Sequence, residues 1–243
     1  MAVAPTPVHP ERAQHRSRWV LVAILAFLVG GLTVALLYHV SVFGGSSSAT
    51  TEGSGVPAAQ ARDVPAFTSV ELAGSNNVVI HVGEKQSVVV RADDNLVDRV
   101  TTEVQSGKLV IANTPGSFTT NSPMSVDITA PTLDALTLTG SGNIVVSGIE
   151  AESLEVALPG SGTLTGSGTV TRLEVTVSGS GNVQFTRLVA SDARAVVSGS
   201  GAIFISVTRA LDALVSGSGA ILYSGNPQEV TKSVTGNGAI TGR

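Results

Sequence analysis

A Gly-Ser-Gly triplet recurs at nearly constant spacing through the second half of this 243-residue chain. Successive first glycines are 18 to 20 residues apart. The triplets begin at Gly140, Gly160, Gly179, Gly199 and Gly217, and a Gly-Asn-Gly variant begins at Gly236. A regular period of this length is typical of a solenoid, in which each repeat forms one coil that stacks on the next.

Aliphatic residues flank every triplet at fixed positions. The fourth residue after the first glycine is always aliphatic: Ile144, Leu164, Val183, Ile203, Ile221 and Ile240. The second residue before that glycine is also always aliphatic: Leu138, Leu158, Val177, Val197, Val215 and Val234. Positions of the same parity lie on one face of an extended strand. The pattern therefore predicts an all-β fold, a parallel β-solenoid with coils of about 19 residues and an apolar interior.

The glycines of the triplet are unusual in strands, where glycine normally weakens the structure. We expect them to permit a tight bend in a narrow coil and a close approach of the chain from opposite walls. The residues between the glycines are expected to stack as an external ladder with a structural role. They are Ser141, Ser161, Ser180, Ser200, Ser218 and Asn237.

Composition excludes several classes of protein. The hydrophobic fraction of 42% is too high for a disordered chain. The chain has no cysteine, and therefore no disulfide framework, no thiolate nucleophile and no lipid anchor attached through cysteine. A formal charge of −4 with scattered basic residues does not favour nucleic acid as a partner. None of the four histidines lies in the repeats, so no metal site, cofactor or histidine-based catalytic triad is predicted there.

The N-terminal part of the chain predicts a single transmembrane helix over residues 19–43. This stretch contains no Asp, Glu, Lys or Arg, and it is long enough to span a bilayer. Three arginines precede it, which places residues 1–18 in the cytoplasm and the rest of the chain outside. A cleaved signal peptide is the alternative, and we favour an uncleaved anchor. Residues 44–65 are rich in Gly, Ser, Thr, Ala and Pro and predict a flexible linker.

Residues 66–131 repeat less clearly and are predicted to cap the N-terminal end of the solenoid, which occupies residues 132–243. Two hairpins are expected here, with turns at Gly83-Glu84 and at Ser106-Gly107. The stretch AGSNNVVI, which contains Gly74, is interpreted as a degenerate first copy of the triplet.

The stretches LTGSGNIVV, VSGSGNVQF and YSGNPQ resemble the head GIN domain, a family of unknown function named for the head of autotransporter adhesins. The resemblance covers about residues 66–243. It implies a surface-exposed, right-handed parallel β-solenoid, and it supplies no catalytic residues.

One column of charged residues is the best candidate for a ligand-facing surface. It lies five residues before each triplet and consists of Glu155, Glu174, Arg194 and Asp212. Two stacked carboxylates about 5 Å apart could share a proton or a cation. The alternative is a solvated face on which Arg194 compensates its acidic neighbours.

These features together predict a cell-membrane protein with an extracytoplasmic, non-enzymatic interaction or adhesion module. An enzyme that acts on envelope polysaccharide is the main alternative, and an envelope sensor is a third. The expected partners are the membrane and an envelope polysaccharide or protein. The C-terminal coil ends in an unpaired edge near Arg243, which invites strand addition by a partner or by a second copy of the chain.

Overall fold

The computed structural model describes residues 50–243, which form an all-β solenoid. Its N-terminal part contains β1 (Thr51–Glu52), β2 (Pro57–Ala61), β3 (Ser69–Leu72), β4 (Asn77–Val82), β5 (Ser87–Asp93), a 3-10 helix (Val97–Arg99), β6 (Val100–Gln105), β7 (Lys108–Asn113), β8 (Phe118–Thr119) and β9 (Ser125–Ala130). The repeats form β10 (Ala135–Leu138), β11 (Asn143–Leu158), β12 (Thr163–Val177), β13 (Asn182–Val197), β14 (Ala202–Val215), β15 (Ala220–Ser224), β16 (Glu229–Val234) and β17 (Ala239–Gly242).

The predicted membrane segment, residues 19–43, and the predicted tail before it lie outside the described residues. Between residue 50 and the C-terminus, no helix has the length and apolar character needed to cross a membrane.

The repeats stack as parallel coils, which confirms the predicted solenoid. Strands β11 to β14 pair in parallel with their neighbours, and each pairing is repeated one coil later. The aliphatic residues after the triplet are in register from coil to coil, as in the pairing of Ile144 with Leu164 and of Val183 with Ile203. These four side chains are fully buried. Each of the strands β11 to β14 runs from one triplet to the next. We call the C-terminal half of each strand, which precedes a triplet, the upstream wall, and the N-terminal half, which follows a triplet, the downstream wall.

The triplet glycines are required by contacts between neighbouring coils. A Cβ atom on Gly179 would lie 2.0 Å from the carbonyl oxygen of Gly160 in the coil beneath. A Cβ atom on Gly181 would lie 2.3 Å from the carbonyl oxygen of Gly162 and 2.9 Å from Leu158 Cδ2. Among the triplet glycines only Gly236, in the last coil, has a φ in the left-handed region. The expected approach between opposite walls is therefore wrong, because the crowding comes from the adjacent coil.

The N-terminal layers do not follow chain order. Strands β3 and β4 form one coil, which lies between β7 and β9 on one side and β10 and β11 on the other. Gly74 takes the place of a triplet glycine in this coil, since its carbonyl oxygen accepts a hydrogen bond of 3.3 Å from Gly142. The interpretation of this stretch as a degenerate triplet is therefore confirmed.

One of the two predicted hairpins exists. Strands β6 and β7 pair antiparallel around Ser106 and Gly107, which have φ values of 50° and 78°. Strands β4 and β5 do not pair with each other, because β9 lies between them, parallel to β4 and antiparallel to β5. The hairpin predicted at Gly83-Glu84 is therefore wrong.

Part of the predicted linker is folded onto the cap. Strand β1 pairs with β8, and β2 pairs antiparallel with β5, so the linker expectation does not hold for residues 51–61. The fully buried Asp93 holds this segment in place. Its carboxylate accepts hydrogen bonds from the backbone N–H groups of Gly55 at 3.0 Å, Asn121 at 2.9 Å and Ser122 at 3.2 Å.

Burial alone would raise the pKa of the Asp93 carboxyl. The hydrogen bonds that it accepts from Ser122, Asn121 and Gly55 outweigh burial and hold its pKa below the ordinary aspartate value of 3.8. Asp93 therefore remains ionised in a buried position, and its charge orients three backbone amides of the cap.

Candidate functional site: a charged groove on the upstream wall

The structure places the four predicted column residues side by side on successive coils. Glu155 pairs in register with Glu174, Glu174 with Arg194, and Arg194 with Asp212. Their side chains point outward, because the residues on either side of each of them in the strand are buried core residues. The column thus exists as a surface feature, and its role in ligand binding stays a prediction.

A second outward-facing column lies two residues upstream of the first and was not recognised from the sequence. Its members occupy the seventh position before each triplet: Ser153, Arg172, Asp192, Ala210 and Glu229. Two of its five members, Ser153 and Ala210, are small and uncharged, and this makes the column hard to recognise in the sequence. The two columns are two residues apart along each strand, so their side chains must face the same side of the wall. This spacing is the sequence signal from which the second column could have been recognised.

The two columns form the sides of a shallow groove of about 830 Å³ that runs from coil to coil across the upstream wall. Between the columns lie Leu154, Leu173, Ala193 and Leu211. These four side chains are buried in the core, so the backbone of the coils forms much of the groove floor. The backbone groups of this floor pair with the neighbouring coils, so the groups that a ligand could contact are the side chains of the two columns. These recur at the strand spacing, about 4.8 Å.

Three ion pairs organise the charges in and beside the groove. Arg194 pairs with Asp212, and Arg209 pairs with Asp192. Arg172 Nη2 lies 2.7 Å from Glu152 Oε1. Except for Asp192, whose side chain is 22% exposed, these side chains are about half or more exposed, so the pairs contribute little to stability. They set where positive and negative charges lie along the wall.

Two carboxylates of the predicted column, those of Glu155 and Glu174, take no part in these three ion pairs. In the part of the chain that the structure describes, no ion pair includes Glu155 or Glu174. The N-terminal half of the groove is therefore more acidic than the half that contains Arg194. Within residues 50–243, no group of three or more His, Cys, Asp or Glu side chains is arranged to hold a metal ion.

This arrangement suits an extended ligand better than a compact one. A compact ligand is usually bound in an enclosed pocket with a few convergent polar groups. The groove is open, and the predicted column presents a charged side chain on each of four successive coils. A chain-like ligand that lies across the coils would contact several of these groups at once.

Comparisons with known proteins agree with the fold. Residues 66–227, more than half of the chain, match the family model described as "Putative auto-transporter adhesin, head GIN domain". No curated protein matches the chain. A solved "putative adhesin" from Bacteroides fragilis NCTC 9343 has a TM-score of 0.66 and 22% identity, and the match covers 79% of this chain and 99% of that one. Another, from Parabacteroides distasonis ATCC 8503, has a TM-score of 0.52 and 21% identity, with 80% and 100% covered.

Proposed function

Because the chain belongs to the head GIN domain family, we propose that it is a non-enzymatic binding module that holds an extended polymer of the cell envelope in the charged groove. The observation that carries this proposal is the groove itself, which is open and crosses several coils. Two arginines line the groove, Arg172 and Arg194, and each has more N–H donors than its ion pair uses. A polymer with hydroxyl or charged groups at regular spacing would find matching groups along this wall.

An enzyme that acts on envelope polysaccharide is the second candidate. It is favoured by one observation, the position of Glu155 directly beside Glu174 on the next coil. Carboxyl groups about 5 Å apart are typical of retaining glycosidases. Those enzymes place their carboxyls on the two sides of the scissile bond, whereas both glutamates here belong to one column on one wall.

The test is a binding and turnover assay with the full-length chain in a mild detergent. Purified wall polysaccharides are incubated with the protein, and both co-sedimentation and the appearance of new reducing ends are measured. We expect binding without new reducing ends. Arg194→Gln and Glu174→Gln should weaken binding several-fold, whereas Ser200→Ala, at the triplet corner, should not change it.

Two results would contradict the binding-module proposal. Reducing ends that disappear in Glu155→Gln or Glu174→Gln would favour the enzyme. Binding that is unaffected by both groove substitutions would place the ligand elsewhere on the domain.

We also propose that residues 19–43 form an uncleaved membrane anchor, with the solenoid outside the cell. The support is the uncharged, apolar composition of this stretch and the arginines that precede it. A reporter fused after Arg243 should face outward and stay with the membrane fraction after a high-salt wash. A soluble ectodomain released from cells would show a cleaved signal peptide instead.

A further inference from the structure

The last coil leaves part of the core uncovered. Val230 and Val234 are 39% and 44% exposed, whereas Leu211 and Val215, their partners in the preceding coil, are 2% and 0% exposed. Strand β16, which carries both valines, pairs with β14 on one edge. Among residues 50–243, no strand pairs with its other edge. This edge therefore offers unpaired backbone groups and two aliphatic side chains together.

A lysine occupies the middle of this uncovered row. Lys232 pairs in register with Ala213, whose side chain is fully buried. The same position holds buried aliphatic residues in earlier coils, such as Val175. The Lys232 ammonium lies 4.8 Å from the centroid of the Tyr223 ring, which packs against the end of the core. The exposed edge thus presents a valine, a lysine and a valine on its core-facing side.

This lysine disfavours a second copy of the chain at the edge. Two β16 strands that pair so that both cores continue would place both Lys232 side chains in the joined interior. Burying a charged ammonium without a partner is costly, and an inward-pointing charge is a known protection of sheet edges. The edge is therefore unsuited to end-to-end stacking of identical chains.

We propose that the β16 edge is a docking site for an extended segment of another protein in which two aliphatic residues flank an acidic one, spaced as aliphatic-x-acidic-x-aliphatic. Strand addition pairs the backbone groups of the edge. The aliphatic residues cover Val230 and Val234, and the carboxylate pairs with the Lys232 ammonium. This site lies at the end of the solenoid and does not depend on ligand binding in the charged groove.

The proposal can be tested with a tethered strand on the full-length chain. The probe sequence EVTESV is appended after Arg243 through a Gly/Ser linker of about ten residues, which spans roughly 18 Å on average. The control extension is EVTKSV, the sequence of β16 itself. The probe should slow hydrogen exchange at the outward N–H groups of Glu229–Val234 at least tenfold and raise the melting temperature, while the control should do neither.

A charge swap provides the matched control. Lys232→Glu should reverse the preference, so that the EVTKSV extension protects β16 and the EVTESV extension does not. Lys232→Gln should remove the preference. Because residue 232 is exposed, the circular dichroism spectra of both variants should match that of the unsubstituted chain.

Three outcomes would overturn the proposal. The first is equal protection by both extensions on the unsubstituted chain, and the second is no protection by either. The third is concentration-dependent protection of β16 without any extension, which would identify a second copy of the chain as the occupant.

Discussion

At its N-terminal end the solenoid is covered by antiparallel strands, whereas at its C-terminal end the last parallel coil faces solvent. Strands β5 and β6 run opposite to the coil formed by β7 and β9, and β2 adds to the outer edge of β5. Residues beneath this cover, such as Phe67 and Leu96, are 3% and 0% exposed. At the other end, Val230 and Val234 are more than one third exposed although they occupy core positions of the repeat.

The difference between the two ends shows that the repeat alone leaves the core uncovered at the end of the stack. Each coil is a template for the next one, so a repeat placed at the end always leaves one uncovered face. At the N-terminal end, the core is covered by strands from about 80 residues of irregular sequence, from residue 50 to residue 131. At the C-terminal end the repeat pattern continues, but one core position holds Lys232. The edge of β16 is therefore accessible and carries a positive charge.

The largest expected difference between the middle and the end of the stack comes from two separate aspartate substitutions, made at the same repeat position in neighbouring coils. Leu211→Asp should bury an unpaired carboxylate and lower the free energy of unfolding by about 4 kcal/mol or more. Val230→Asp, at the register partner of Leu211, should cost less than about 1 kcal/mol because this side chain is 39% exposed. Urea unfolding of both variants measures the difference. Equal losses would mean that the last coil is covered in solution.

A second comparison uses the glycines of the triplet. A Cβ atom on Gly181 would meet the carbonyl oxygen of Gly162 at 2.3 Å, and one on Gly238 would meet that of Gly219 at the same distance. Gly181 lies in the middle of the stack, so its coil cannot move away. Gly238 lies in the last coil, which has free space on its outer side.

We therefore expect Gly181→Ala to lower the free energy of unfolding by about 3 kcal/mol, as overpacking of a tight core does. Gly238→Ala should cost about 1 kcal/mol or less, because the last coil shifts outward. Thermal unfolding followed by circular dichroism tests the pair. If Gly238→Ala were as damaging as Gly181→Ala, the end coil would be held as rigidly as the middle of the stack.

The parts of the fold in which buried and exposed residues alternate strictly along the strands could be predicted from the sequence. Aliphatic residues such as Ile203 lie at one repeat position in every coil, and a one-residue shift in register would expose all of them. The column of Glu155 and Glu174 was predictable for the same reason. The second column was harder to predict, because Ser153 and Ala210 carry no charge.

The parts that depend on distant partners could not be predicted. The alternating patterns of β4 and β5 are compatible with a hairpin, and nothing near them in the sequence indicates that β9 lies between. Residues 51–61 have the composition of a linker. They are ordered by contacts with residues far along the chain, such as the hydrogen bond of 2.7 Å from Asn121 Nδ2 to the Gly53 carbonyl oxygen.

The buried carboxylate of the cap should make the N-terminal end sensitive to acid. The pKa of Asp93 is lowered in the folded chain, so its contribution to stability is complete above about pH 4, the unfolded value, and is lost as the pH falls through the lower folded value. Asp93→Asn should destabilise the cap at pH 7 and remove this part of the acid dependence. The gap in melting temperature between the two proteins should therefore narrow below pH 4.

Hydrogen exchange locates this effect. Amides of β1 and β2 should exchange faster in Asp93→Asn at pH 7. The exchange of β16 amides should be unchanged, because β16 lies at the opposite end of the stack from β1 and β2. A gap in melting temperature that stays constant from pH 7 to pH 2.5 would contradict the role of the Asp93 charge.

The smallest effect is expected from the external ladder at the triplet corner. Ser200 lies between two glycines and is exposed, as are its equivalents Ser180 and Ser218. The backbone N–H of Ser200 donates a hydrogen bond of 3.1 Å to the carbonyl oxygen of Gly179, and this bond does not need the hydroxyl group. Ser200→Ala should therefore change the free energy of unfolding by no more than about 0.5 kcal/mol. A loss above 1.5 kcal/mol in urea unfolding would mean that the hydroxyl ladder itself joins the coils, and then the glycine contacts alone would not explain why the triplet is repeated.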